Sequence, residues 1–284
     1  MEYRLIALDL DGTLLSSRKE ITPRTREALR AARERGIVTV IATGRTPQSA
    51  AHFSRLIGGG PVICCNGAGV LDEQGQFVHC KAIPDAPLLR CLELCREAKV
   101  LVECYTDRHL VLDGPLAHVR VYMGWVRPKM GVARALGSLV HVWHTNRMLP
   151  VPSLYKWAQR KGHAPVLKIM IIGRPEQMGP LAEAIQRQAP GLEVTSSGKE
   201  NLEVMAAGTS KGSGLAILGA RLKIPRDAMI AFGDSDNDLA MLTYAGMGVA
   251  MGNAQPHVKQ QARRVTATND EDGIARLIEE LCLS

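Results

Sequence analysis

Aromatic residues are scarce in this chain: three Trp, five Tyr and three Phe, 4% of 284 residues. The core therefore has to be aliphatic, built from Leu, Val, Ile, Ala and Met. No apolar run approaches the ~20 residues that a membrane span needs. The opening stretch MEYRLIALDLDG carries acidic residues inside its apolar run, unlike a signal peptide. The expectation is a cytoplasmic protein with no membrane partner. Dense Lys/Arg tracts and basic stripes interleaved with aromatics are missing as well. The net charge of +7 thus favours anionic partners in general without singling out nucleic acid. None of the seven Cys form a CxxC pair. Cys64 and Cys65 are adjacent in an apolar run and Cys91 and Cys95 share a helix face, the pattern of buried free thiols rather than a disulfide framework or metal site. Internal repeats and low-complexity linkers are also absent.

What is present is the composition of a soluble globular protein, 46% apolar and 22% charged, long enough for one large or two medium domains. The N-terminal part alternates strand and helix. Leu5–Leu10 is a nearly continuous apolar run, as expected of a parallel strand covered on both faces. Thr22-Pro23 reads as an N-cap with proline at the first helical position, and the helix stops at Gly36. Ile37–Ala42 and Val62–Cys65 read as strands, Pro47–Ile57 as a helix, and Gly67–Cys80 as a hairpin around Gln74-Gly75. From about Asp85 the texture becomes α+β. Near the C-terminus the strand–helix alternation returns, with Leu202–Met205, Met229–Phe232 and Gly248–Met251 as strands. Helices are expected at Lys211–Leu222, Asp236–Tyr244 and Gly273–Leu281. The organisation predicted is an α/β, doubly wound, mostly parallel core made of residues 1–83 and 192–284, interrupted by an α+β insert at 84–191.

Chemistry-bearing residues gather at the expected strand ends. Asp9 and Asp11 stand where the first strand finishes, and ligands of parallel α/β sheets bind outside the carboxyl ends of the strands. An isolated acid pair is more often a solvated turn, but two adjacent carboxylates also invite a cation or a shared proton. Ala42-Thr43-Gly44-Arg45 ends the second strand. It offers a hydroxyl and a glycine amide at a helix opening, which suits an anion or serves simply as an N-cap. Ser210-Lys211-Gly212 opens another helix with a lysine where the dipole mildly disfavours cations. Gly233-Asp234-Ser235-Asp236-Asn237-Asp238 is a dense anionic loop after a strand, the oxygen-rich composition that hard cations take. Four strand ends with polar groups make a shared site the better reading. Lys211 alone could not make a pocket containing Asp9, Asp11, Asp234 and Asp238 accept a dianionic phosphate. Mg2+ bridging carboxylate and phosphoryl oxygens would.

The set DLDGT at 9–13, ATGR at 42–45, SKG at 210–212 and GDSDND at 233–238 resembles the haloacid dehalogenase superfamily, and more narrowly its Cof-type, class IIB sugar-phosphatase-like branch. CNGAGV at 65–70 and AGMGVAMGNA at 245–254 echo it. The resemblance covers both core halves in order, and the insert in placement and length. It implies a Rossmann-like core with a C2-type cap, and a Mg2+-dependent phosphatase acting on small phosphorylated metabolites through an aspartyl phosphate. By resemblance Asp9 is the nucleophile and Asp11 the acid that protonates the leaving oxygen and then activates water. Lys211 spans nucleophile and phosphate, while Thr43, Gly44, Asn237 and the Leu10 amide contact phosphate. The metal falls to Asp9, Asp234 and the Asp11 carbonyl, with Asp238 behind them, bound through water or orienting Lys211. Asp236 has no role and reads as solvated.

The insert does not identify a substrate. His141 and His144 lack an acidic or Cys partner nearby and read as surface histidines, and Trp125, Trp143 and Trp157 as packing residues. Arg45 is open between substrate contact and an ion pair with a core carboxylate. A phosphomutase, or a catalytically idle sugar-phosphate-binding protein, is the alternative function. The chain is expected to be a monomer or small homo-oligomer.

Overall fold

A computed structural model of the chain describes residues 3–114, 119, 143, 145–196 and 198–283. The first strand, β1 (Leu5–Leu8), has every side chain fully buried. It pairs in parallel with β2 (Val38–Ala42) on one side and with β12 (Met229–Gly233) on the other. Beyond β2 come β3 (Val62–Cys64), β4 (Gly69–Leu71) and β5 (Phe77–Cys80), the last two antiparallel. Beyond β12 come β13 (Met247–Ala250) and β14 (Arg264–Val265), both parallel. The sheet order is β14-β13-β12-β1-β2-β3-β4-β5. The chain leaves β1 in one direction and returns to its other flank, so the boundary of β1 and β12 is the switch point where α/β sheets bind ligands.

Leu5, Ala7, Val40, Ala42 and Ile63 pack with Leu215, Leu218, Met241 and Leu242 of the helices Lys211–Leu222 and Leu239–Tyr244. Helix starts follow local chemistry. Thr22 caps the helix Pro23–Glu34 by accepting from the Thr25 amide, and Ser210 caps Lys211–Leu222 by accepting from Ser213. The second helix, Pro47–Leu56, starts where expected and is capped by Thr46. Thr43 and Gly44 therefore precede the helix and are not its cap. Thr46-Pro47 repeats the pattern of Thr22-Pro23.

By contact density the chain divides into two units, Met1–Cys80 with Gly208–Ser284, and Lys81–Ala207. The second unit holds a six-stranded sheet in the order β10-β11-β9-β6-β7-β8. Its strands are β6 (Leu101–Thr106), β7 (Leu110–Asp113), β8 (Met148–Val151), β9 (Val166–Ile172), β10 (Leu192–Thr195) and β11 (Asn201–Ala206). The helices Asp85–Ala98 and Pro175–Gln188 cover one face, with Leu88, Cys91, Cys95, Leu181 and Ile185 against Val102, Cys104, Ile169, Ile171 and Val204. Side chains of the same strands that alternate with this set include Lys168 and Glu203, both buried and 3.4 Å apart, with Lys168 Nζ 4.7 Å from the centre of the Tyr105 ring.

This sheet corrects one sequence expectation. Leu202–Met205, placed in the core by the 191/192 boundary, lies in β11 and pairs antiparallel with β9 and β10. Lys211 consequently does not follow a core strand, and three core strand ends, not four, carry the motifs. Trp157 packs against the second unit's core, its ring 5.2 Å from that of His163. Trp125, His141 and His144 lie outside the described residues.

Candidate active site

The site is built at the carboxyl end of β1, all within the first unit. Asp9 follows β1 directly, its amide donating to the Phe232 carbonyl of β12, and the residue is only 5% exposed. Lys211, the first residue of its helix, reaches Asp9 Oδ1 at 2.6 Å and Asp238 Oδ1 at 2.7 Å while fully buried. Its ammonium also lies 3.5 Å from Asn237 Oδ1. The lysine expected to sit against the dipole is held there by two carboxylates.

Asp238 is completely buried and works in two directions. Its Oδ2 accepts from the amides of Asp234 and Ser235 at 2.9 and 3.0 Å, which folds the acidic loop, while Oδ1 holds Lys211. Asp234 accepts from the hydroxyls of Thr13 at 2.9 Å and Ser235 at 3.0 Å. Carboxylate oxygens of Asp9, Asp234 and Asp238 lie within 4.8 Å of one another. Against these three acids stands the ammonium of Lys211, so full ionisation would leave two negative charges among buried and half-buried side chains. The balance shows in the protonation of its members. Burial, with the charges of Asp238 and Asp234, pushes the Asp9 carboxyl well up despite Lys211. Burial and Asp238 raise Asp234. Burial alone would lower Lys211, yet Asp238 and Asp9 outweigh it and hold the ammonium charged. An oxygen-only donor set with a surplus of two negative charges fits a hard divalent cation such as Mg2+.

Asp11 does not join this cluster. Its carboxylate is exposed and ion-paired with Arg45 and Lys19. Burial tends to raise its pKa, but hydrogen bonding and charge from Arg45, then Lys19, overcome that and hold Asp11 well below the usual carboxylate range. The question left open for Arg45 is answered by an ion pair. Thr43 is buried, its amide donating to the Ile63 carbonyl at 2.8 Å and its hydroxyl accepting from the Arg45 amide at 3.3 Å. Leu10 is buried, with its carbonyl taking the Leu15 amide at 2.8 Å. Gly44 lies in the loop between β2 and the Pro47–Leu56 helix. Asp236, read as solvated, is exposed but pairs with His257.

Two contributors carried no role in the sequence reading. Asn66 is 1% exposed and accepts from Asn237 Nδ2 at 3.4 Å, with a left-handed backbone at φ 54°. The only signal was the Asn-Gly pair of the CNGAGV stretch. Thr13 orients Asp234, a contact 221 residues apart in sequence that no local pattern reveals.

Comparison with known proteins fits this geometry. A family model described as haloacid dehalogenase-like hydrolase matches residues 6–278. The chain belongs to that family. It is a phosphoric monoester hydrolase of the Cof-type, class IIB kind. It is 31% identical to a pyridoxal phosphate phosphatase of Escherichia coli over 98% of each protein. It is 32% identical to a 5-amino-6-(5-phospho-D-ribitylamino)uracil phosphatase of Bacillus subtilis, covering 97% of this chain and 96% of that one. Among solved structures, a haloacid dehalogenase-like hydrolase from B. subtilis superposes with a TM-score of 0.84 at 30% identity, covering 98% of this chain and 99% of the other. A subclass IIB sugar phosphatase superposes with a TM-score of 0.78 at 25% identity, covering 98% of each. Among the described residues, no helix of this phosphatase is long and apolar enough to cross a membrane.

Proposed function

We propose that this phosphatase hydrolyses small phosphorylated metabolites through a covalent aspartyl phosphate on Asp9. Support comes from the convergence of Asp9, Lys211 and Asp234, drawn from three distant segments, in one buried and over-acidic pocket. Lys211 occupies Asp9 Oδ1, so Oδ2 attacks phosphorus in line and the bond to the ester oxygen breaks. Asp11, ionised beside Arg45 and Lys19 in the free protein, takes up a proton as the dianionic ester binds and gives it to the departing alkoxide. Water then attacks the phosphorus of the aspartyl phosphate and passes a proton to Asp11, inorganic phosphate leaves, and Asp9 is restored. Lys211 and Asn237, with Thr43, Gly44 and the Leu10 amide, hold the phosphoryl oxygens.

Mg2+ is the cofactor that suits this site, held by Asp9, Asp234 and the Asp11 backbone carbonyl. When bound, it neutralises charge on the phosphoryl group. Asp238 keeps Lys211 and the acidic loop in place. The Lys81–Ala207 unit is assigned to choosing the leaving group. Pyridoxal phosphate, a ribityl phosphate of the flavin pathway and hexose or pentose phosphates are the substrates to test, the first two from the named relatives and the sugars from the structural neighbour.

The test is phosphate release from that panel with Mg2+, comparing the natural chain with Asp9→Asn. Turnover is expected in the first and none above background in the second. Equal rates in the two proteins would remove Asp9 as nucleophile.

A further inference from the structure

The two acids that end β1 part company in the structure. Asp9 enters the buried cluster, whereas the Asp11 carboxylate is gripped on its flank. Arg45 Nε donates to Asp11 Oδ2 at 2.8 Å and Arg45 Nη2 to Oδ1 at 2.7 Å, a two-pronged contact, and Lys19 Nζ adds 2.9 Å to Oδ1. A fork of this kind fixes the plane of the carboxylate, which a single ammonium cannot do.

Arg45 is itself held from several sides. Its guanidinium lies 4.8 Å from the centre of the Phe53 ring, on the helix Pro47–Leu56. Its carbonyl accepts from the Cys65 amide at 3.0 Å, and its amide donates to the Thr43 hydroxyl. The arginine is thus tied to the end of β2, which pairs with the strand preceding Asp9, and to the end of β3 on the far side of β2. Exposed ion pairs between two free side chains contribute little. Here one partner is anchored by backbone and ring contacts, so the other is oriented by it.

We propose that Arg45 is a positioning residue for Asp11, setting the direction in which its carboxyl meets the leaving oxygen of the ester and later the attacking water. The proposal rests on the acid–base role given to Asp11 above. A leaving alkoxide needs a proton at bond cleavage, while a nitrophenolate departs without one. Loss of Arg45 should therefore slow alkyl esters far more than aryl esters.

The experiment measures kcat/KM for ribose 5-phosphate and p-nitrophenyl phosphate, with Mg2+, in the natural protein, Arg45→Met, Arg45→Lys, Asp11→Asn and the Arg45→Met/Asp11→Asn double variant. The alkyl-to-aryl ratio is expected to fall at least about tenfold in Arg45→Met. Arg45→Lys, which keeps the charge and loses the fork, should fall in the same sense. The double variant should fall no further than Asp11→Asn alone. Inhibition by inorganic phosphate should change by less than about threefold, because Arg45 acts through Asp11 and not on the phosphoryl group. An unchanged or increased ratio, equal losses on both esters, full rescue by lysine, or a large rise in the phosphate inhibition constant would each overturn the proposal. A normal ratio in Asp11→Asn would instead overturn the acid–base reading of Asp11, and the positioning role with it. A cooperative urea unfolding transition in each variant reports that it has folded.

Discussion

A side-chain carbon at Gly67 would stand 2.0 Å from the carbonyl oxygen of Ser210. Gly67 also has φ of +100°, so both space and backbone conformation require glycine there. Ser210 caps the helix that begins with Lys211, and the close approach seats the lysine in the site. Gly67→Ala should push this helix start outward. We expect a loss of about 1–3 kcal/mol in urea unfolding and a fall of about 100-fold in kcat/KM. Near-normal activity would show that the approach does not set the position of Lys211.

Lys211→Met leaves Asp9 and Asp238 buried without their shared counter-charge. Breaking a buried pair from one side costs about 3–5 kcal/mol, to be read from urea unfolding in a chelator. Mg2+ should restore part of that stability, because it supplies the missing positive charge. Turnover should drop about 100- to 1,000-fold whether or not Mg2+ is present. A stable and active methionine variant would contradict both roles.

Metal binding should stabilise the fold, and more strongly as pH rises. The raised pKa of Asp9 and Asp234 means that the metal-free folded chain binds more protons than the unfolded chain above the ordinary carboxylate range. The contribution of these two groups to metal-free stability is therefore full below that range and declines as pH climbs through the raised values. Protons and Mg2+ compete for the same oxygens, so the Mg2+-induced rise in Tm should be larger near about pH 8 than near about pH 5. At 100 times its Kd the ion should add about 2.7 kcal/mol. Asp234→Asn should abolish most of that increment in differential scanning fluorimetry.

Three of the thiols should be slow to react. Burial pushes Cys282 up to about 11 and raises Cys64 and Cys104 well above their usual range. Brief iodoacetamide treatment of the native protein at neutral pH should leave these three unmodified by mass spectrometry, with activity retained. Rapid labelling of Cys64 would contradict its burial.

Much of this arrangement was legible in the sequence because it is written locally. Unbroken apolar runs gave β1, β2 and β12 within a residue or two, since strands covered on both faces tolerate few polar side chains. Acids at strand ends pointed to Asp9 and Asp234, and the structure brings carboxylate oxygens of both within 4.8 Å of each other. What escaped depends on distant pairing. β11 looks like any core strand, and only its pairing of Asn201 with Ile172 assigns it to the other sheet. The grip of Arg45 on Asp11 and the support of Asp234 by Thr13 join residues with no local signature. Thr43 was offered as a helix cap alongside its anion-binding reading, although the helix itself was read from Pro47; the cap is Thr46.

The central position of β1 has a consequence for synthesis. Its neighbour β12 begins at Met229, and the partners of Asp9 at 211, 234 and 238 leave the ribosome more than two hundred residues after it. During translation the first strand must wait, with its apolar side chains uncovered on one flank, for a partner more than two hundred residues away. Nascent or truncated chains ending before that partner can have no phosphatase activity, and they are the species most exposed to aggregation.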